Sequence, residues 1–159
     1  MLGYIKNHVL EGVAAVRKNL EKFNLNSPVG IKERDEMKKL PKENRRLLEG
    51  TLMTRDLTRE GKELFLEADF DHRRFGQLLT KQHEVLRDYL QTSTPKIEKM
   101  MEAALQAGAL GGKLNGSGGG GCMFAYAPDN TEQIARAIER TGAKVYIIHV
   151  DMGVREEEI

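Results

Sequence analysis

Over the first two thirds of the chain the apolar residues recur with helical spacing. Ile5, Val9, Val13, Val16, Leu20 and Phe23 fall three or four positions apart, which predicts a helix from about Tyr4 to Phe23. Asn24 to Pro28 is turn chemistry. Lys32 to Leu40 reads as a short polar helix, and Pro41 suits a first helical position. Beyond it Leu47, Leu48, Leu52, Leu64, Phe65 and Ala68 mark one long helix or two, with Gly50 and Gly61 as weak points. Asp71 is placed to cap a helix whose apolar face carries Phe75, Leu78, Leu79, Gln82, Leu86 and Tyr89. Thr94-Pro95 opens another, with Ile97, Met100, Met101, Ala104 and Leu105 on one face and Gly108 as its stop.

After Gly108 the pattern changes. Strands are predicted at Lys113–Asn115, Cys122–Ala127 and Lys144–Asp151, with a helix from Asp129 to Thr141 stopped by Gly142. No boundary, repeat or low-complexity tract divides the chain, so residues 1–159 are read as one domain. The fold class is α+β, helices packed on a small, mostly antiparallel sheet.

Composition narrows the function by exclusion. The net charge is +1, with 25 Lys and Arg against 24 Asp and Glu interspersed, so there is no basic stripe for nucleic acid. The acidic Glu156-Glu157-Glu158 is too short to act as a tail. A single cysteine excludes an internal disulfide and a cysteine-built metal cluster. No apolar run reaches membrane-spanning length. The expectation is a soluble cytoplasmic chain with no nucleic-acid or membrane partner and no metal ligands of its own.

The most informative segment is Gly111-Gly112-Lys113-Leu114-Asn115-Gly116-Ser117-Gly118-Gly119-Gly120-Gly121-Cys122. Ordering so many glycines is entropically expensive, and a folded domain keeps them for positive φ or for close backbone approach. Gly116, Gly118 and Gly121 satisfy G-x-G-x-x-G, yet a strand-like segment follows where a dinucleotide-binding turn needs a helix. Gly121 is followed by Cys122, not by the Lys-Ser/Thr of a P-loop. The unit is therefore strand, glycine loop, strand, and four successive glycines exceed what a tight hairpin needs. Backbone N–H groups of Ser117 to Gly120 are candidates for an anion nest.

The stretch Gly108 to Cys122 resembles the C-terminal motif of the GHMP small-molecule kinases, a family that includes galactokinase, homoserine kinase, mevalonate kinase and phosphomevalonate kinase. His83-Glu84-Val85-Leu86-Arg87-Asp88-Tyr89, followed by Ser93-Thr94-Pro95, is similar to the galactokinase-like branch. In that branch the tyrosine usually stands two places after the aspartate, whereas here Tyr89 follows Asp88 directly. The resemblance spans about Asp71 to Val150. It implies a C-terminal domain with a four-stranded sheet, of which three strands are visible here. It also implies that the phosphate loop and the catalytic aspartate lie in an N-terminal kinase domain outside this chain. ATP and Mg2+ would be bound mainly there. Expected of this chain are no catalytic residue and no turnover on its own. The implied activity of the full enzyme is transfer of the ATP γ-phosphoryl to a sugar hydroxyl. Alternatives are a heptose, mevalonate or homoserine acceptor, a galactokinase-like regulator without turnover, and a free-standing interaction domain.

The same resemblance places Asn115, Gly116, Ser117, Gly118, Gly119, Gly120 and Gly121 beside the nucleotide phosphates. For Asn115 and Ser117 two readings stay open, turn capping and ligand proximity. Lys113 is read as an exposed strand residue. Arg87 or Asp88 is expected to hold its helix against the glycine hairpin, on a face that also carries His83 and Glu84. Tyr4 stands roughly where galactokinases place a sugar-contacting tyrosine, though helix packing is the simpler role. Cys122 is expected to be buried by packing. The surface left by an absent N-terminal half predicts self-association.

Overall fold

The computed structural model describes residues 1–150 and Gly153. Six helices and one hairpin follow in the order α1 (Leu2–Arg17), α2 (Ile31–Lys38), α3 (Lys42–Leu64), α4 (His72–Asp88), α5 (Pro95–Gln106), β1 (Gly111–Asn115), β2 (Cys122–Tyr126) and α6 (Thr131–Glu139). The strands pair antiparallel, with Lys113 opposite Phe124 and Asn115 opposite Cys122.

Helix α1 ends at Arg17, six residues before the expected stop at Phe23. The chain turns at Lys18 and Asn19, and Arg17 Nε donates to the Phe23 carbonyl at 2.6 Å. Phe23 thus reaches the core by folding back, which its helical spacing imitated. Val9, Val13 and Val16 pack there against Met37, Leu47 and Leu48. Arg55 on α3 closes the following loop by donating to the carbonyls of Leu25 and Ser27 at 2.6 and 2.7 Å.

Helix α3 is one helix of 23 residues. Gly50 does not weaken it but admits a neighbour, since an added Cβ would lie 2.6 Å from Tyr89 Cβ at the end of α4. Asp71 caps α4 by accepting from Arg74 N–H at 2.9 Å, and Thr94 caps α5 by accepting from Ile97 N–H. Gly108 takes φ 104° after α5 and Gly142 takes φ 85° after α6. A second core of Met100, Ala104, Ile134 and Ile138 joins α5 to α6 and the hairpin.

The strand expected at Lys144–Asp151 does not form over residues 144–150, and Asp151 lies outside the described residues. A strand needs a neighbouring backbone to exchange hydrogen bonds with, and among the described residues β1 and β2 pair only with each other. Val145 packs against the second core, whereas Tyr146, Ile148 and Val150 stand exposed. The four strands implied by the resemblance are therefore two among the described residues. No helix among them is long and apolar enough to cross a membrane.

Helix α4 lies directly on β1, and glycines make that approach possible. An added Cβ on Gly111 would stand 2.7 Å from Gly76 Cα and closer still to its carbonyl. One on Gly76 would stand 2.7 Å from Leu110 Cβ. Neither glycine has positive φ, so close packing, and not conformation, requires it. Gly111→Ala should therefore destabilise the chain by about 2–3 kcal/mol, through forced separation of helix and strand. Gly61→Ala, in a helix with nothing within 4 Å of the new Cβ, should stabilise it by about 0.5–1 kcal/mol. Urea midpoints for the two variants measure this, and equal midpoints would refute the packing argument.

Candidate functional site

The hairpin's loop is built by four left-handed glycines: Gly116 (φ 72°), Gly118 (79°), Gly119 (75°) and Gly120 (101°). L side chains rarely adopt such values, so the local sequence follows from the backbone path. Gly118 also packs closely, since its added Cβ would lie 2.7 Å from Thr92 Cβ. Gly119, by contrast, has nothing within 4 Å. Its N–H donates to the Thr92 carbonyl at 2.9 Å. Among the described residues the N–H groups of Gly116, Ser117, Gly118, Gly120 and Gly121 make no hydrogen bond with the protein. The loop thus offers a row of free backbone donors on an exposed turn, the arrangement that binds anions.

Asn115 and Ser117 are exposed, and neither side chain makes a hydrogen bond among the described residues. Turn capping by either is therefore absent from this geometry. Lys113 is half-buried instead of exposed. Its Nζ donates to the Leu114 carbonyl at 2.8 Å and stands 5.5 Å from the centre of the Phe124 ring. Burial pushes its ammonium pKa below the usual lysine value. Cys122 is exposed, contrary to expectation, because it sits where β2 emerges from the loop and no element covers it. Tyr4 lies on α1, which packs on α3 and α2; its Oη donates to Glu43 at 2.9 Å and its ring sits 4.1 Å from the His8 ring, tilted by 39°.

Beneath the hairpin lies a polar group on the helix face expected to meet it, though the residues expected to make that contact were Arg87 or Asp88. His83 is 2% exposed. Its Nδ1 accepts the Leu114 N–H at 3.2 Å, and its Nε2 stands 3.0 Å from Glu98 Oε1. An accepting Nδ1 leaves the ring proton on Nε2, where it is donated to Glu98. Ser93 Oγ donates to the same carboxylate oxygen, and Arg87 Nη1 donates to Glu98 Oε2 at 3.3 Å. Arg87 also grips Asp88 with two bonds of 2.7 and 2.9 Å. So Arg87 ties α4 to α5, while His83 is the α4 side chain that hydrogen-bonds β1 among the described residues. The available signal was position: His83 follows Leu79 by four residues, on the apolar stripe. No group of three or more His, Cys, Asp or Glu among the described residues is placed to hold a metal ion.

Residues 62–144 match the family model for the C-terminal part of the GHMP kinases, over half of the chain. The chain belongs to the GHMP kinase family. Mevalonate kinase of Thermococcus gammatolerans is 41% identical over 95 residues, covering 59% of this chain and 28% of that protein. Galactokinase of Mycobacterium tuberculosis is 39% identical over 74 residues, covering 46% and 20%. A solved structure of Lactococcus lactis galactokinase complexed with galactose superposes with TM-score 0.75 at 20% identity, covering 88% of this chain and 36% of that one. That likeness is one of fold, and it agrees with the α+β reading of the sequence. The chain thus spans about a third or less of these relatives.

The charge on Glu98 gives the site a pH signature. Burial raises its pKa, but the Ser93 hydroxyl, the His83 ring and Arg87 together hold it below the usual glutamate value. A lowered folded pKa contributes stability above the unfolded pKa that is lost as pH falls through the folded one. On acidification below the ordinary glutamate value of 4.5, the natural chain should lose stability more steeply than Glu98→Gln. Urea midpoints between neutral pH and pH ~3 test this, and parallel curves would contradict it.

Proposed function

We propose that this chain is the C-terminal lobe of an ATP-dependent small-molecule kinase, and that its glycine hairpin forms the wall beside the nucleotide phosphates. The observation carrying this reading is the row of unpartnered N–H groups at Ser117, Gly118, Gly120 and Gly121, on a loop with open space above Gly119. Backbone donors held in advance at left-handed positions suit phosphate oxygens and need little rearrangement. The half-buried Lys113 adds a cation at the base of the same hairpin. The loop carries no carboxylate for Mg2+, so the metal and the catalytic base fall to the N-terminal domain. In phosphoryl transfer the protein chiefly positions groups and stabilises charge, and this lobe would supply part of the positioning.

The acceptor we favour is a sugar hydroxyl, on the His83–Asp88 and Ser93–Pro95 segments. Mevalonate is the second reading, supported by the longer alignments to mevalonate kinases. Phosphorylation of galactose and of mevalonate by the full-length enzyme separates the two. The exposed Tyr146, Ile148 and Val150 are the surface expected to meet the N-terminal domain, or another copy when that domain is missing. The isolated chain should phosphorylate neither acceptor, and turnover by it would refute the division of labour.

Gly119→Val tests the loop itself. In the isolated chain the new side chain meets open space, so the loss is limited to about 1–2 kcal/mol for a β-branched residue at positive φ. In the full-length kinase the Michaelis constant for ATP should rise at least about tenfold, the loss expected when a side chain in the space above Gly119 holds the phosphate off one of the neighbouring donors. An unchanged Michaelis constant in a well-folded variant would sink the phosphate-wall reading.

A further inference from the structure

The glycine loop is held at two points, one within the C-terminal half of α4 and one just beyond its end. The tip is held by the Thr92 carbonyl, which accepts Gly119 N–H at 2.9 Å. Thr92 is itself buried, and its N–H and its Oγ1 both donate to the Leu86 carbonyl, at 2.9 and 3.0 Å. Gln91, at φ 52°, makes the turn that delivers it there. The base is held by His83 Nδ1, which accepts Leu114 N–H at 3.2 Å. Leu114 lies opposite Met123 in β2, yet its N–H reaches the helix instead of the partner strand. A buried backbone donor left without an acceptor is costly, so the ring answers a need that a hydrophobic side chain at position 83 would leave open.

The two points are coupled. Glu98 Oε1 takes the His83 Nε2 proton and also the Ser93 hydroxyl, and Ser93 is the residue next to Thr92. One carboxylate therefore fixes the ring that holds the base and the segment that holds the tip. We infer that His83 is a positioning residue for the glycine loop, acting with Glu98 to set the height and tilt of the free donors at Ser117, Gly118, Gly120 and Gly121. Its importance for catalysis rests on the phosphate-wall reading above; its effect on the loop does not.

Nuclear magnetic resonance on the 159-residue chain tests the proposal. In the unsubstituted protein the His83 ring should be the neutral Nε2–H tautomer, with a coupling across the Leu114 N–H···Nδ1 bond. Absence of that coupling would overturn the proposal, and this arm does not depend on any variant folding. His83→Gln can keep a donor near Glu98 but places no acceptor at the Nδ1 position. His83→Asn places its Oδ1 there and gives up the Glu98 bond. Amide hydrogen exchange at both Leu114 and Gly119 should accelerate at least about tenfold in the Gln variant, while Val13 and Leu48 are unaffected. The Asn variant should recover most of the protection at Leu114 and part of it at Gly119. An unchanged Gly119 in the Gln variant would overturn the inference, because the ring would then act only locally. So would equal acceleration throughout the protein in both variants, which would make His83 a packing residue. In the full-length kinase the dissociation constant for ATP with Mg2+ should increase in the order natural, Asn, Gln. Exchange as described with an unchanged dissociation constant would uphold the positioning role and remove the phosphate-wall reading instead.

Discussion

The contact of α4 with β1 is the constraint on which the rest of the molecule depends. A helix that packs against a strand through side chains stays well clear of its backbone; here glycine faces glycine and the backbones meet. The gain is a covered strand in a hairpin of only two, where an open edge would otherwise invite pairing with another chain. The consequence is chemical as well as steric. A helix this close brings a side chain within reach of the strand's own N–H groups, and His83 is that side chain. Substituting either glycine would push the helix outward and draw the imidazole away from Leu114, so packing and polar contact fail together.

Much of the fold was legible because helices advertise themselves by period and by cap. Asp71 and Thr94-Pro95 marked helix starts that the structure keeps, and Gly108 and Gly142 marked stops. The misreadings turn on contacts that local sequence does not carry; period, for one, does not distinguish a helix from a chain that returns to the same core. Phe23 is buried on the α1 side at helical spacing without being helical. Gly50 looked like a flaw in α3 until its neighbour Tyr89 came into view, a contact between residues far apart in sequence. Residues 144–150 have every local mark of a strand, but a strand is a property of two segments and not of one.

The site divides along the same line. The glycine loop was visible because its conformation is written in residue type: positive φ selects glycine one position at a time. That the His83–Asp88 face meets the hairpin was expected, but which of its residues reaches the loop's base was not, because that depends on the exact rotation of α4. His83, Glu84, Arg87 and Asp88 look alike as a charged run. In space the ring of His83 goes inward to Leu114 and Glu98, while Arg87 and Asp88 grip each other at the surface. Lys113 and Cys122 moved in opposite directions for a similar reason. The first is half covered by its place opposite Phe124, and the second is uncovered at the mouth of the loop.

Rigid support and free donors are two halves of one design problem. A loop of glycines binds an anion well only if its N–H groups are already aimed, since glycine loses more entropy on ordering than any other residue. Tying every N–H to the protein would order the loop and leave nothing for a ligand. Here one donor of the turn, Gly119, goes to Thr92, and one donor of the strand below, Leu114, goes to His83. Two bonds at separated points restrict both height and tilt, whereas one would leave a pivot. The remaining donors then keep their direction without being consumed. That division accounts for a buried histidine within α4 and a buried threonine just beyond its end where apolar residues would pack more simply, and it makes the polar contacts under the hairpin part of the same device as the glycines above them.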